Sequence, residues 1–223
     1  ETDLENIKAY TTLFDHDADF VSADGGFDFS YNFNKQEQMS YRILFCEIVT
    51  ALSIQKIGGS FVCKFFDIYT EYTQSLIYLL FCCYKEVYIT KPNTSRAANS
   101  EKYLVCKGFL GLDPLYLQKL YICVNSFKFL TQHGNHIHQL FEYNFNKKFI
   151  INLNKINTYF YKNQIESIKN TLDLIEKGDL DIEFNETIKN QTLLAFKWCK
   201  HYRVSINYNS KYLVKYKKCL KYL

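Results

Sequence analysis

Proline and glycine are scarce in this 223-residue chain, at two and eight. No Pro-, Gly- or Ser-rich stretch marks a flexible boundary between domains, and no internal repeat is evident. The eight cysteines include no C-x-x-C pair, and several lie inside apolar runs. They read as small core residues of a reducing compartment rather than as a disulfide or zinc framework. Long apolar runs are lacking too: the longest, SLIYLLFCCY at 75–84, is about half of the ~20 residues that cross a bilayer, so no membrane partner is expected. There is no initiator methionine and no signal-type opening. ETDLENIKAY is polar and reads as an amphipathic helix capped by Thr2 or Asp3, and the chain is expected to begin inside a longer protein.

What is present is ordinary globular material, with 48% hydrophobic and 22% charged residues and a net charge of +4. That balance permits a polyanionic partner without requiring one. Strand and helix signals alternate through the first half. After the opening helix, ADFVSADGG (18–26) reads as a buried strand ending in a glycine pair. Residues 36–57 carry Ile43, Leu44, Ile48 and Leu52 at helical spacing, with Gly58 and Gly59 expected to stop the helix. SFVCKFFDI (60–68) reads as a strand, 71–84 as a helix, and 86–90 and 102–109 as two more strands. Strands separated by helices imply an α/β fold with a mostly parallel sheet. Residues 91–101 are too few and too polar for a crossover helix, so the last two strands should pair antiparallel. Residues 112–185 read as mainly helical, with apolar positions from Leu153 to Ile175 marking one long helix.

In open α/β sheets, ligands bind outside the carboxyl ends of the parallel strands. Asp24 ends one such strand and Lys64 lies late in the next. Glu101 opens the reversed strand, so it belongs to the same edge. A lysine inside FVCKFF needs charged or hydrogen-bonding partners, and Asp24 and Glu101 can supply them.

ADGGFD, GGSFVCKFFD and KPNTSRAANSEKYLVCKG, in that order, resemble the Asp, second Lys and Glu motifs of the FtsJ-like ribose 2′-O-methyltransferases. Within that family YLLFCCY, SRAANSE and YLVCKG are similar to the mRNA cap-1 methyltransferases, and TDLENI resembles the segment that follows their adenosine-binding Asp. The resemblance is strong over about residues 2–111. It implies the C-terminal part of a Rossmann-like methyltransferase sheet with an antiparallel last strand (1–111), followed by a mainly helical extension with a basic tail (112–223). FKWCKHYRVSIN resembles the family's C-terminal helix. The glycine-rich cofactor loop and the first catalytic lysine are expected ahead of Glu1. Lys8, 16 residues before Asp24, does not stand in for that lysine.

Carried over by motif, Asp24, Lys64 and Glu101 are catalytic, Asp24 also touches the cofactor S-adenosylmethionine, and Asn34 and Asn99 orient the acceptor nucleotide. Ser95 and Arg96 of the polar turn are donors for phosphate or ribose. The implied substrate is the capped 5′ end of mRNA, with capping or transcription machinery as partners. The implied location is intracellular, cytoplasmic if the chain is viral and nuclear if it is cellular. Heavy use of Lys, Asn, Tyr, Phe and Ile fits an A/T-rich genome such as that of a large DNA virus or a protist.

The chemistry agrees with the residues. A ribose oxygen that accepts a methyl group gains negative charge, which an ammonium stabilises. Lys64 between two carboxylates favours that electrostatic role; a desolvated lysine could instead take the proton. A noncatalytic RNA-binding or scaffold subunit, and methylation of ribosomal or transfer RNA, are the alternatives. His133, His136 and His138 lack a recognised zinc spacing and read as a polar loop. From Thr187 to Leu223 there are nine basic residues and no acidic one, interleaved with tyrosines. Such a stripe can track phosphates and stack on bases, or it can be a solvated tail or a docking segment.

Overall fold

A computed structural model of the chain describes residues 3–26, 32–132, 144–177 and 180–220. The three histidines of the HGNHIH stretch lie outside them. The described chain divides into two compact units, residues 1–165 and 166–223.

The first unit opens on α1 (Leu4–Phe14), started by Asp3, whose side chain accepts from the Glu5 N–H, and ended at Asp15 in the left-handed region. β1 (Ala18–Ala23) follows. A single 3₁₀ turn (Phe33–Lys35) and the short α2 (Gln36–Met39) lead into α3 (Tyr41–Ile54), the crossover helix to β2 (Gln55–Phe65). α4 (Glu71–Cys83) is capped by Thr70, whose side chain accepts from the Thr73 N–H. β3 (Tyr84–Thr90) and β4 (Lys102–Phe109) complete the sheet, and α5 (Pro114–Gln132) and α6 (Lys147–Lys177) follow.

The strand order is β1-β2-β4-β3. β1 and β2 run parallel, and β4 is antiparallel to both β2 and β3. The reversed last strand inferred from the short polar 91–101 connection is therefore present, and Glu101 does start at the edge where β1 and β2 end. Alternation along the strands separates two faces. Phe61, Cys63, Phe65, Leu104 and Cys106 are buried in one core with Ile7 of α1, Phe45 and Ile48 of α3, Leu76 and Leu80 of α4, Leu120 and Phe127 of α5 and Leu153 of α6. Truncating one such phenylalanine to alanine costs about 3–5 kcal/mol. The other face carries Lys64 and Tyr103, directly opposed in the β2–β4 ladder, and is more open, with Phe20 and Tyr88 exposed.

The glycine pair does not stop the helix. α3 ends at Ile54, and Gly58 and Gly59 lie inside β2. Ala18 pairs with Gln55 but Phe20 with Ser60, so β2 carries extra residues against β1 at this point. Gly58, at φ +85°, supplies the left-handed residue such a bulge needs. The strands also end earlier than their apolar runs, at Ala23 and Phe65, because the residues beyond leave the ladder to build the site.

The second unit contains the end of α6, then α7 (Leu180–Tyr202) and α8 (Lys211–Leu220). Arg203, with φ 56°, terminates α7, and the Val204 N–H donates to the Cys199 carbonyl. FKWCKHYRVSIN is therefore the last turns of α7 and the chain reversal after it. Lysines in this unit lie over aromatic rings: Lys200 over Phe196, Lys211 over Tyr212 and Lys215 over Tyr216. Among the described residues, no helix is long and apolar enough to cross a membrane.

Candidate active site

The carboxyl end of β1 turns immediately after Ala23. Gly25 closes that turn against α3, where its N–H donates to Glu47 Oε1 at 2.7 Å. A Cβ at Gly25 would collide with the ends of the Ile43 and Glu47 side chains, so a larger residue here requires both to shift. Glu47 also accepts from the Cys63 thiol at 3.7 Å. The turn places Asp24 beside Lys64 of β2. Lys64 Nζ lies 2.7 Å from Asp24 Oδ1 and donates to the Asp24 carbonyl at 3.1 Å. The lysine side chain is 14% exposed and the aspartate 71%. An ammonium has three N–H donors. Among the described residues Asp24 occupies two, and the third remains for a further acceptor.

Glu101 reaches this place from β4 but is held by another group. Its Oε1 accepts from the Ser95 hydroxyl at 2.7 Å. The Lys91 ammonium lies inside the 91–101 turn and donates to Ser95 Oγ (3.2 Å), the Asn99 carbonyl (3.0 Å), Asn99 Oδ1 (2.7 Å) and the Glu101 carbonyl (2.7 Å). Asn99 Oδ1 also accepts from the Glu101 N–H at 3.3 Å. Burial first, and then the Lys102 charge, hold Lys91 below the usual lysine range, while Glu101 opposes the shift.

Tyr103 reports how the charged groups converge. Burial raises its hydroxyl above the usual tyrosine range, the Glu101 and Asp24 carboxylates raise it further, and Lys64 opposes them. All three charges expected at this edge therefore act on one phenol. Among the described residues, however, the ion pair of Lys64 is with Asp24 and not with Glu101.

The loop after β2 is fixed from below. Glu37 of α2, buried, accepts from the Tyr69 N–H (3.3 Å), the Thr70 N–H (2.9 Å) and the Thr70 hydroxyl (2.7 Å). Lys102, also buried, donates to the Phe66 (3.1 Å) and Ser100 (2.7 Å) carbonyls and pairs with Asp67 at 3.5 Å. Burial outweighs that attraction on both partners, lowering Lys102 and raising Asp67 from their ordinary ranges.

The residues expected to bind substrate are distributed unevenly. Ser95 and Asn99 lie in the polar turn, with their oxygens engaged by Lys91 and Glu101. Arg96 is exposed on the same turn. Asn34 is exposed on the 3₁₀ turn, two residues before Gln36, whose Oε1 accepts from Ser100 Oγ at 3.1 Å. Lys91, Tyr103, Glu47 and Glu37 are the additions sequence reasoning did not make. Tyr103 follows Glu101 by two and shares its strand face, and Glu47 is the one acidic residue in the apolar run ILFCEIVTALSI; both are readable signals. Glu37 and Lys91 have none.

A sequence model of the FtsJ-like methyltransferase family matches residues 2–109. The mouse and human proteins called cap-specific mRNA (nucleoside-2′-O-)-methyltransferase 1 are 44% and 42% identical to the chain over 132 residues, covering 56% of it and 16% of each relative. The Drosophila melanogaster protein of that name is 49% identical over 103 residues, 46% of this chain and 13% of its own length. The match thus spans about one-sixth of the mouse and human proteins. A solved Plasmodium falciparum chain described as a ribosomal RNA methyltransferase is 26% identical over 48% of this chain and 56% of its own, with a TM-score of 0.38.

Proposed function

Residues 2–109 match the FtsJ-like methyltransferase family, and on that match we propose that the chain forms the acceptor side of a cap-specific mRNA ribose 2′-O-methyltransferase. The reaction moves a methyl group from S-adenosylmethionine to the ribose 2′-hydroxyl of the first transcribed nucleotide. The names of the relatives support the capped substrate.

The observation that carries the reading is the Lys64 ammonium, fixed twice by Asp24 and left with one N–H. As the hydroxyl proton leaves to solvent the acceptor oxygen gains negative charge, which a preorganised donor stabilises without moving; the oxygen's electron pair would then bond the methyl carbon while the carbon–sulfur pair returns to sulfur. Asp24 orients that donor, and Glu101, held by Ser95, adds a second carboxylate near the acceptor ribose.

The turn after β1 fits the methyl donor. The exposed Asp24 carboxylate suits a cationic sulfonium, and a Cβ at Gly26 would lie 3.5 Å from Lys64 Nζ, so this glycine keeps the space above the ammonium open. Asp24 and the Gly25–Gly26 backbone are the residues of this chain that would hold it. Bound there, S-adenosylmethionine supplies an electrophilic methyl group.

The test is methylation of a short capped RNA by the protein at its natural length, with a first nucleotide carrying either a 2′-hydroxyl or a 2′-deoxy ribose. Lys64→Ala is expected to lower transfer by about 10²–10³ while capped-RNA binding survives. Near-normal turnover by Lys64→Ala, or equal transfer to the 2′-deoxy RNA, overturns the reading. Equal activity on uncapped RNA removes the cap from it.

A further inference from the structure

The first unit contains a cavity of about 260 Å³ between residues 91–102 of the polar turn and the α6 segment 159–164. It is smaller than the roughly 300–1,000 Å³ of drug-sized ligand sites, so at most the base and phosphate of a single nucleotide enter it. No acidic residue lines it, and two lysines, Lys91 and Lys102, do.

The two lysines differ. Lys102 has Asp67 as a counterion. The four oxygens around Lys91 are a hydroxyl, an amide and two main-chain carbonyls, none of them a carboxylate. A half-buried ammonium solvated only by dipoles projects positive potential into the cavity and attracts an anion. Burial first and then the Lys102 charge lower the proton affinity of Lys91, and the Glu101 carboxylate, one hydroxyl away through Ser95, offsets this only in part.

The opposite wall is aromatic. Tyr159 is 62% exposed, although it lies on a helix that packs on the core. Phe160 packs against it in a T-shaped arrangement, with centroids 5.3 Å apart. Asn93 and Asn163 line the cavity with amides that have no hydrogen-bond partner among the described residues. Gln164 Nε2 donates to the Ala98 carbonyl at 3.1 Å and latches the two walls together. Ser95 belongs to both places, lining the cavity and donating to Glu101 at 2.7 Å. The cavity therefore begins one hydrogen bond from the proposed acceptor ribose site. α6 lies beyond the residues matched to the methyltransferase family, which end at 109.

We propose that this cavity is a subsite for one nucleotide of the RNA strand adjoining the methylated nucleotide, with its base stacked on Tyr159 and its phosphate directed to Lys91. An exposed aromatic ring, amides that can meet a base edge and a half-buried ammonium with no carboxylate among its direct partners are the features of single-strand RNA sites. An acidic peptide would use the cation but neither the ring nor the amides. The inference rests on the RNA-methyltransferase reading and adds to it where the strand runs.

The experiment titrates residues 1–223 into capped RNA oligonucleotides of one to four nucleotides, labelled at the 3′ end, at fixed salt. Affinity is expected to step up at the length that first reaches the cavity. Tyr159→Ala should erase that step, roughly 10- to 100-fold in Kd, and an abasic nucleotide at the same position should reproduce the loss. Tyr159→Phe should keep it. An unchanged circular-dichroism melt for Tyr159→Ala separates a lost contact from a lost fold. RNA binding whose length dependence is the same in Tyr159→Ala overturns the subsite and leaves the methyltransferase reading intact. Failure of the chain to bind any capped RNA overturns the RNA reading, and the subsite with it.

Discussion

Lys91 Nζ donates to the main-chain oxygen of Glu101 at 2.7 Å, so that the 91–101 turn closes around a cation. The same ammonium donates to Ser95 Oγ. The Ser95 hydroxyl is thereby left to donate its own proton to the Glu101 carboxylate, and its rotor has one favoured setting.

Lys91→Met removes that arrangement. Faster amide exchange across 95–101, a stability loss of about 1 kcal/mol and a fall in methyl transfer that appears more in kcat than in KM for RNA are expected. There is also a pH signature. The folded protein holds the Lys91 proton less tightly than the unfolded chain, whose value is 10.5. In the window between the lowered value and 10.5 the unfolded state therefore binds more protons, and stability relative to Lys91→Met should rise with pH. Urea midpoints of the two proteins at several alkaline pH values check the sign.

Glu101→Gln keeps an oxygen for Ser95 and removes the charge. A drop of at least about tenfold in single-turnover methyl transfer is expected, with little change in melting temperature or capped-RNA affinity. A variant that melts early but turns over normally when folded would make Glu101 a strand-end residue and nothing more.

Gly25→Ala forces a methyl group into Ile43 and Glu47. Overpacking of this kind costs about 1–3 kcal/mol. Because the turn must move, the Asp24–Lys64 pair should be lost as well, so denaturant midpoint and activity fall together. Glu47→Gln, which still accepts from the Gly25 N–H, should retain most of both.

The cysteines give a fourth test. Burial pushes the Cys46 thiol up to about 11 and the Cys83 and Cys106 thiols up to about 12, from an ordinary 9.0. The folded state therefore keeps protons that the unfolded chain sheds near 9.0. Stability should be full below that pH and fall above it, by at most about 1.4 kcal/mol per pH unit for each thiol. Alkylation at neutral pH followed by mass spectrometry should modify the exposed Cys82 and spare Cys46, Cys63, Cys83 and Cys106 until the protein unfolds.

The elements with a period were legible in the sequence. SFVCKFFDI read as a strand whose inner lysine needs charged or hydrogen-bonding partners, and the short polar stretch after Thr90 gave the antiparallel last pair. The bulge at Gly58 and Gly59 was not legible, because a glycine pair after a helical run is also what a helix stop looks like; only the partner strand's register distinguishes them. The pairing of Lys64 with Asp24 followed from topology. The preference of Glu101 for Ser95 did not, because it depends on where Lys91 sits in three dimensions, and a turn organised around a side chain leaves no spacing in the sequence. Nor was it readable that the Ser95 hydroxyl donates to Glu101 and that Asn99 Oδ1 accepts from Lys91 within the turn.

β1 is an outer strand of the sheet among the described residues, and it leads directly into Asp24. An outer strand is held by one ladder and opens more readily than its inner neighbours. The aspartate thus follows one of the two outer strands, and the lysine lies on a strand paired on both sides. Two contacts from outside the ladder limit its fraying: the Glu47 carboxylate on the Gly25 N–H and the Lys64 ammonium on the Asp24 carbonyl. Any strand that completes the ladder along the open side of β1 would stiffen the Asp24–Lys64 pair without touching either side chain.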